Sequence, residues 1–184
     1  MARTFLIVCC IVLMVGSCHQ KDISPVTDVA GMLNGNNWQQ TGWLFKGRVW
    51  KTEGINSYPC KLNTININIE QYNSDGFRRQ NLFIAKIPPR VGVYRIRDIY
   101  SCDENADVGA RFFLIGQDGD VITAIFNVAE SGSNTLSVDQ IDSTARQLSG
   151  RLRLTLWAAE RGSTTPYDTI RITDCRFVLP FESN

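Results

Sequence analysis

Strict alternation of apolar and polar residues is the feature that most limits what this chain can fold into. From Ile65 to Glu70 every second residue is isoleucine, and the residues between are Asn or Glu. In a strand, one face of such a segment packs and the other meets water. Residues 148–157 repeat the pattern, with leucines at 152, 154 and 156 on one side and Arg151, Arg153 and Thr155 on the other. No 3.6-residue period is sustained after residue 38, so an all-β domain is predicted.

Seven further segments have strand character. They are residues 44–50, 82–87, 91–97, 111–115, 121–128, 135–141 and 169–177. About nine strands joined by hairpin turns, such as the turn at Asp118 and Gly119, predict an antiparallel β-sandwich, with a β-barrel as the alternative. No repeat or linker divides residues 38–184, so one domain is expected there.

The first 18 residues, MARTFLIVCCIVLMVGSC, have the pattern of a secretory signal. Their end resembles the bacterial lipobox, with an aliphatic residue at Val15, two small residues and then Cys18. The resemblance implies that residues 1–17 are a lipoprotein signal peptide and that Cys18 is acylated. The apolar run is about half as long as a bilayer core requires, so the protein is expected to be anchored to the bilayer and not to span it.

Residues 18–37 are predicted to be the lipidated cysteine followed by a flexible tether. The stretch from Cys18 to Asp22 is similar to the short signals that carry Bacteroidetes-type lipoproteins to the cell surface, although an uninformative linker is the alternative. The expected location is the outer membrane, facing either the periplasm or the cell surface.

Motifs in the last 50 residues extend this resemblance to the domain. They include Leu148-Ser149-Gly150-Arg151-Leu152 and Ile170-Arg171-Ile172-Thr173-Asp174-Cys175-Arg176-Phe177. Together with Asn34-Gly35-Asn36-Asn37-Trp38, they resemble a group of Bacteroidetes outer-membrane lipoproteins whose domain has no known function. The resemblance implies an all-β fold and an envelope location, and it implies no activity.

Charge and histidine content restrict the chemistry. Nineteen Lys and Arg residues against 18 Asp and Glu residues leave a net charge of +1, so nucleic acid is not expected as a partner. His19 is the single histidine, and a histidine-based catalytic site inside the domain is therefore excluded. A glycoside hydrolase needs only two carboxylates and stays open as an alternative. Its candidates are Glu53, Glu70, Asp98, Glu130, Asp139 and Glu160.

Three cysteines remain in the domain, and an oxidising compartment favours a disulfide. Cys60 and Cys102 lie in inter-strand loops and are the expected pair, with free buried cysteines as the alternative. The loop that begins at Asp103 has some features of a calcium loop but lacks its full pattern, so a solvated acidic loop is favoured. We assign no catalytic residue, metal ligand or cofactor.

Aromatic side chains supply the remaining candidates. Trp43, Trp50 and Trp157 could present flat faces to a sugar ring, and by parity Trp157 lies on the same side of its strand as Arg151 and Arg153. Packing in the core is the alternative for most of them. The leading expectation is an envelope lipoprotein that binds a glycan, a peptide or a protein partner, and an accessory subunit of an envelope complex is a further possibility.

Overall fold

The computed structural model describes residues 27–38, 44–52, 64–98, 108–130, 133–162 and 165–181. These segments form eleven strands in one sheet. The strands are β1 (Asp28–Leu33), β2 (Asn36–Asn37), β3 (Leu44–Thr52), β4 (Thr64–Tyr72), β5 (Arg78–Ile87), β6 (Gly92–Asp98), β7 (Val108–Ile115), β8 (Ile122–Val128), β9 (Thr135–Asp142), β10 (Gln147–Arg161) and β11 (Thr169–Pro180). The all-β prediction is confirmed.

All nine predicted strands are present as β3 to β11. The strands β1 and β2 are additional, and they lie inside the segment expected to be a flexible tether. β1 pairs antiparallel with β11 and buries Val29 and Leu33. Among the described residues, the first strand of the sheet begins at Asp28, ten residues before the expected start of the domain at residue 38. Val29 and Leu33 are separated by Ala30, Gly31 and Met32, and two buried apolar residues in such a segment are too few to give a clear alternating pattern.

The sheet is mixed, whereas a purely antiparallel one was expected. β6 runs parallel to β7, while β6 is antiparallel to β9 and β7 is antiparallel to β5. A parallel pair needs a crossover connection, which a chain of hairpins does not predict. The path β2-β1-β11-β10-β9-β6-β7-β5-β4-β3 wraps one core in a sandwich-like or barrel-like manner, and a parallel bridge between Val49 and Phe181 brings β3 to the end of β11.

The alternating strands supply the core as their pattern predicts. Ile65, Ile67 and Ile69 of β4 are buried, and Phe112 packs edge-to-face against Phe126 with ring centroids 6.0 Å apart. These side chains belong to one continuous apolar cluster. The outward faces of the strands are thus carried on a rigid support.

The long strand β10 occupies the centre of this arrangement. One edge of β10 pairs with β11, and the other edge pairs first with β9 and then with β8. Register shifts interrupt the ladder with β11 between Leu152 and Leu154 and the ladder with β9 between Ser149 and Gly150. Such bulges bend and twist strands, so the outer surface of the sheet is uneven at β10.

Candidate functional site

The outward side of β10 carries the residues with the most recognisable binding chemistry. Leu152, Leu154 and Leu156 are buried, so the alternate residues point away from the core. These alternate residues are Arg151, Arg153, Thr155 and Trp157, at intervals of about 6.8 Å along the strand. We call this surface, together with the outward residues of β6, β9 and β11 beside it, the β10 face.

Strand register assembles the β10 face from four strands. One row crosses the four strands β11, β10, β9 and β6 in that order. Its members are Arg176, Arg151, Ser137 and Val93, each opposite the next. In the next row Arg153 lies opposite Thr135, which lies opposite Arg95. All four of the arginines are exposed. The arrangement collects side chains from positions 93 to 176 of the chain on one surface.

A groove of about 390 Å³ lies in this surface. Its lining residues are Val93, Thr135, Ser137, Arg151, Leu152, Arg153, Asp174, Cys175 and Arg176. The Thr135 hydroxyl can donate or accept a hydrogen bond, the Ser137 hydroxyl donates to Asp139 and can still accept one, and Val93, which is 72% exposed, supplies an apolar wall. The groove is within the size range of small-ligand sites.

One ion pair lies along the groove. Arg151 donates from Nε and Nη2 to the two carboxylate oxygens of Asp139 at 3.0 and 3.1 Å, and the Ser137 hydroxyl donates to the same carboxylate at 2.6 Å. The hydrogen bond from Arg151, followed by that from Ser137, lowers the pKa of Asp139. Within the described part of the chain, Arg95, Arg153 and Arg176 make no ion pair.

The three candidate tryptophans differ in their surroundings. Trp157 is 50% exposed on the β10 face, beside Asn127 and Thr169 on the flanking strands. Trp50 is stacked on Phe83 with centroids 5.9 Å apart, and the Arg48 guanidinium lies 5.4 Å from its ring. Trp43 lies outside the described residues. Trp157 is therefore the candidate tryptophan that the structure places beside the arginine rows.

Of the cysteines considered above, Cys175 is the one that lies within the described residues. It lies in β11 and is buried with a free thiol. Burial raises the pKa of this thiol to about 12. Cys18, Cys60 and Cys102 lie outside the described residues, as does the loop that begins at Asp103.

The candidate carboxylates are not gathered into one cleft by any contact that the structure shows. Glu70 accepts hydrogen bonds from Arg78 and from the Tyr72 hydroxyl, each at 2.9 Å. Burial is the largest influence and raises its pKa, but the hydrogen bonds from Arg78, Tyr72 and Asn68 and the positive charge of Arg78 together outweigh it, so the pKa is lowered. Glu130 and Glu160 are exposed, and Glu53 lies outside the described residues. The described residues include no cluster of His, Cys, Asp or Glu suited to a metal ion.

Sequence reasoning missed Arg95, Arg176 and Ser137 as members of the site. Arg95 and Ser137 occupy outward positions that parity could have indicated, whereas Arg176 has the parity of the inward Ile170 and Ile172 and is outward because β11 is irregular between Ile172 and Cys175. Their convergence depends on long-range register, for which the sequence offers no local signal.

No family model, no curated protein and no solved structure matches this chain. The resemblance to Bacteroidetes-type lipoproteins therefore stays a prediction. In the described segments, no helix has the length and apolar character to cross a bilayer.

Proposed function

We propose that this protein is an outer-membrane lipoprotein, anchored through an acylated Cys18, whose domain binds a glycan on the β10 face. The observation that carries the proposal is the alignment of a half-exposed Trp157 with Arg151 and Arg153 on one face of a single strand, where the two arginines line a groove and Trp157 lies two outward positions beyond it. The anchor rests on the lipobox-like sequence that ends at Cys18.

The chemistry of the β10 face suits a sugar chain. An indole ring offers a flat apolar surface with a polar N–H, which can stack on the apolar face of a sugar ring. Arginine, serine and threonine side chains supply hydrogen bonds to hydroxyl groups and ring oxygens. Because Leu152, Leu154 and Leu156 fix β10 from below, these groups are held in place before a ligand arrives.

Two of the candidate carboxylates, Glu70 and Asp139, are poorly suited to the acid role in a glycoside hydrolase. A glycosidase needs one carboxyl group with a raised pKa to protonate the leaving oxygen. Glu70 and Asp139 instead have lowered pKa values, each through a hydrogen bond from an arginine. Each of these two carboxylates therefore serves as the partner of a cation.

The proposal is tested with the full-length lipidated protein, purified from membranes and reconstituted in vesicles. Intact-mass spectrometry of its N-terminal peptide is expected to show an acylated Cys18. Glycans released from the envelope of the cells that make the protein are then titrated against the vesicles by calorimetry. Trp157→Ala is expected to weaken binding about tenfold, which corresponds to the loss of one aromatic stacking contact.

Phe77→Ala is the matched control, since Phe77 is also an aromatic residue with about half of its side chain exposed but lies in the turn before β5. This variant is expected to bind like the wild type. Equal binding by the Trp157→Ala variant, or capture of an envelope protein without any heat from the glycan fraction, would contradict the proposal. An unmodified thiol at Cys18 would contradict the anchor.

A further inference from the structure

The β10 face carries a local excess of positive charge that the rest of the chain does not share. Its two rows hold Arg95, Arg151, Arg153 and Arg176, while Asp139 and Asp174 are the acidic residues beside them. Four cations against two anions leave an excess of two positive charges. Over the whole sequence the difference between basic and acidic residues is one.

Two of these cations are placed where like charges repel, and Asp139 offsets part of this repulsion, since it pairs with Arg151 and the charge of Arg176 also helps to lower its pKa. Arg151 and Arg176 are directly opposite each other on neighbouring strands, a position in which like charges repel. Asp139 occupies the guanidinium fork of Arg151. Arg176, and Arg153 two residues further along β10, keep exposed guanidinium groups that make no ion pair with the described residues.

Guanidinium groups in this arrangement match one ligand chemistry. The planar fork of arginine binds carboxylate and phosphate oxygens through two parallel hydrogen bonds, and it remains charged at every physiological pH. The hydroxyl group of Thr135 lies within the same groove and adds a donor, while that of Ser137 is donated to Asp139. An oxyanion in the groove would reduce the repulsion that remains between Arg151 and Arg176 and would pair the guanidinium groups of Arg153 and Arg176.

We propose that the groove binds an oxyanion carried by the glycan, with Arg153 and Arg176 as its ligands. The oxyanion is either the carboxylate of an acidic sugar or the phosphate of a phosphorylated one. This inference rests on the proposed function, because it names the class of glycan that the same face takes. Trp157, two outward positions beyond Arg153 on β10, then stacks on another sugar of the same glycan, and the charged groove selects acidic chains over neutral ones.

The test compares matched probes by calorimetry on the full-length lipidated protein in vesicles. One pair is an oligogalacturonate and its methyl ester of equal length, and the other is an oligomannose with and without a 6-phosphate. The wild type is expected to bind at least one charged member ten or more times tighter than its neutral partner. The pair that shows this preference identifies the oxyanion as carboxylate or phosphate.

Arg153→Gln and Arg176→Gln are each expected to weaken binding of the preferred charged probe about tenfold and to reduce its salt dependence. Lys51→Gln makes the same charge change at an exposed position on β3 and is expected to have no effect. Unfolding midpoints equal to that of the wild type show that each variant folds.

Two results would overturn the inference. The first is equal affinity for the charged and neutral members of both pairs, or no binding of any of them by the wild type. The second is binding of the charged probe by both arginine variants at the level of Lys51→Gln. If neutral and charged probes bind equally and Trp157→Ala weakens both, the oxyanion site is wrong while glycan binding by the β10 face stands.

Discussion

The thiol of Cys175 illustrates at the residue scale how packing controls chemistry. Its residue is 1% exposed, and its backbone lies so close to β1 that a Cβ at Gly31 would be 2.7 Å from the Cys175 Cα. Cys175 shares the parity of Phe177 but not that of Ile170 and Ile172, so alternation alone does not assign it to the core, and the irregularity between Ile172 and Cys175 brings it inward. What the sequence could not provide is the close approach of β1, which makes Gly31 necessary and closes the space around the thiol.

Cys175 is expected to be unreactive in the folded protein and to make stability depend on alkaline pH. With the pKa raised from 9.0 to about 12, its thiolate is about 1,000-fold scarcer near neutral pH than that of an exposed cysteine. Site-resolved mass spectrometry after iodoacetamide treatment at pH 8 should find Cys175 unmodified until denaturant is added. Modification in the folded state would contradict the burial.

The sign of the pH effect follows from the same shift. Below pH 9 the thiol is protonated in both states, and the full stability is present. Between pH 9 and about 12 the unfolded chain loses this proton while the native protein retains it, so the free energy of unfolding falls by about 1.4 kcal/mol per pH unit from this group. Urea unfolding at pH 8 to 10.5 measures this slope, and Cys175→Ala should remove it. An unchanged slope in that variant would count against the assignment.

Gly150 is a second residue whose role could not be predicted from the sequence. A Cβ at this position would lie 2.2 Å from the Ser137 carbonyl oxygen and 2.7 Å from the Phe177 ring. The glycine therefore permits β9 to approach β10 at the bulge beside the groove. The sequence shows a glycine at position 150, but the contact between strands that requires a glycine there is visible only in the structure.

At the scale of single elements, the sequence predicts long alternating strands well and short ones poorly. β10 alternates over much of its 15 residues, and both its inward and outward faces follow from parity. β1 has six residues and two buried apolar side chains, Val29 and Leu33, and its ladder with β11 shifts between Ala30 and Met32. Such a strand is fixed by its partner β11 more than by its own pattern.

Val29→Ala tests whether β1 is part of the domain. Val29 is 1% exposed, so truncation is expected to lower the free energy of unfolding by about 2 kcal/mol. The neighbouring Asp28 is exposed on the same strand, and Asp28→Ala is expected to change the free energy of unfolding by less than about 0.5 kcal/mol. Urea denaturation of both variants provides the comparison. Equal, negligible effects would mean that residues 28–33 behave as a tether after all.

At the scale of the whole molecule, the binding surface exists only because of long-range register. Parity assigns Arg151, Arg153 and Trp157 to one side of a strand, and that much could be predicted. Arg176 of β11 and Arg95 of β6 lie on the same surface because their strands pair with β10 and β9 in this register. Within alternating strands no local signal specifies which residues become opposite each other, so the groove could not be predicted.

The tryptophan indoles allow the central claim to be tested in one experiment on the intact protein. Trp38 is buried, with its Nε1 donating to Gln80 at 2.8 Å, and Trp50 is stacked on Phe83, whereas Trp157 is half-exposed on the β10 face. Glycans released from the envelope of the cells that make the protein would be titrated while the indole N–H signals are followed by NMR, with Trp157 assigned through Trp157→Phe. A saturable shift of the Trp157 signal with Trp38 unmoved is the predicted result. Saturable binding that leaves Trp157 unmoved, or the absence of any binding, would contradict the account.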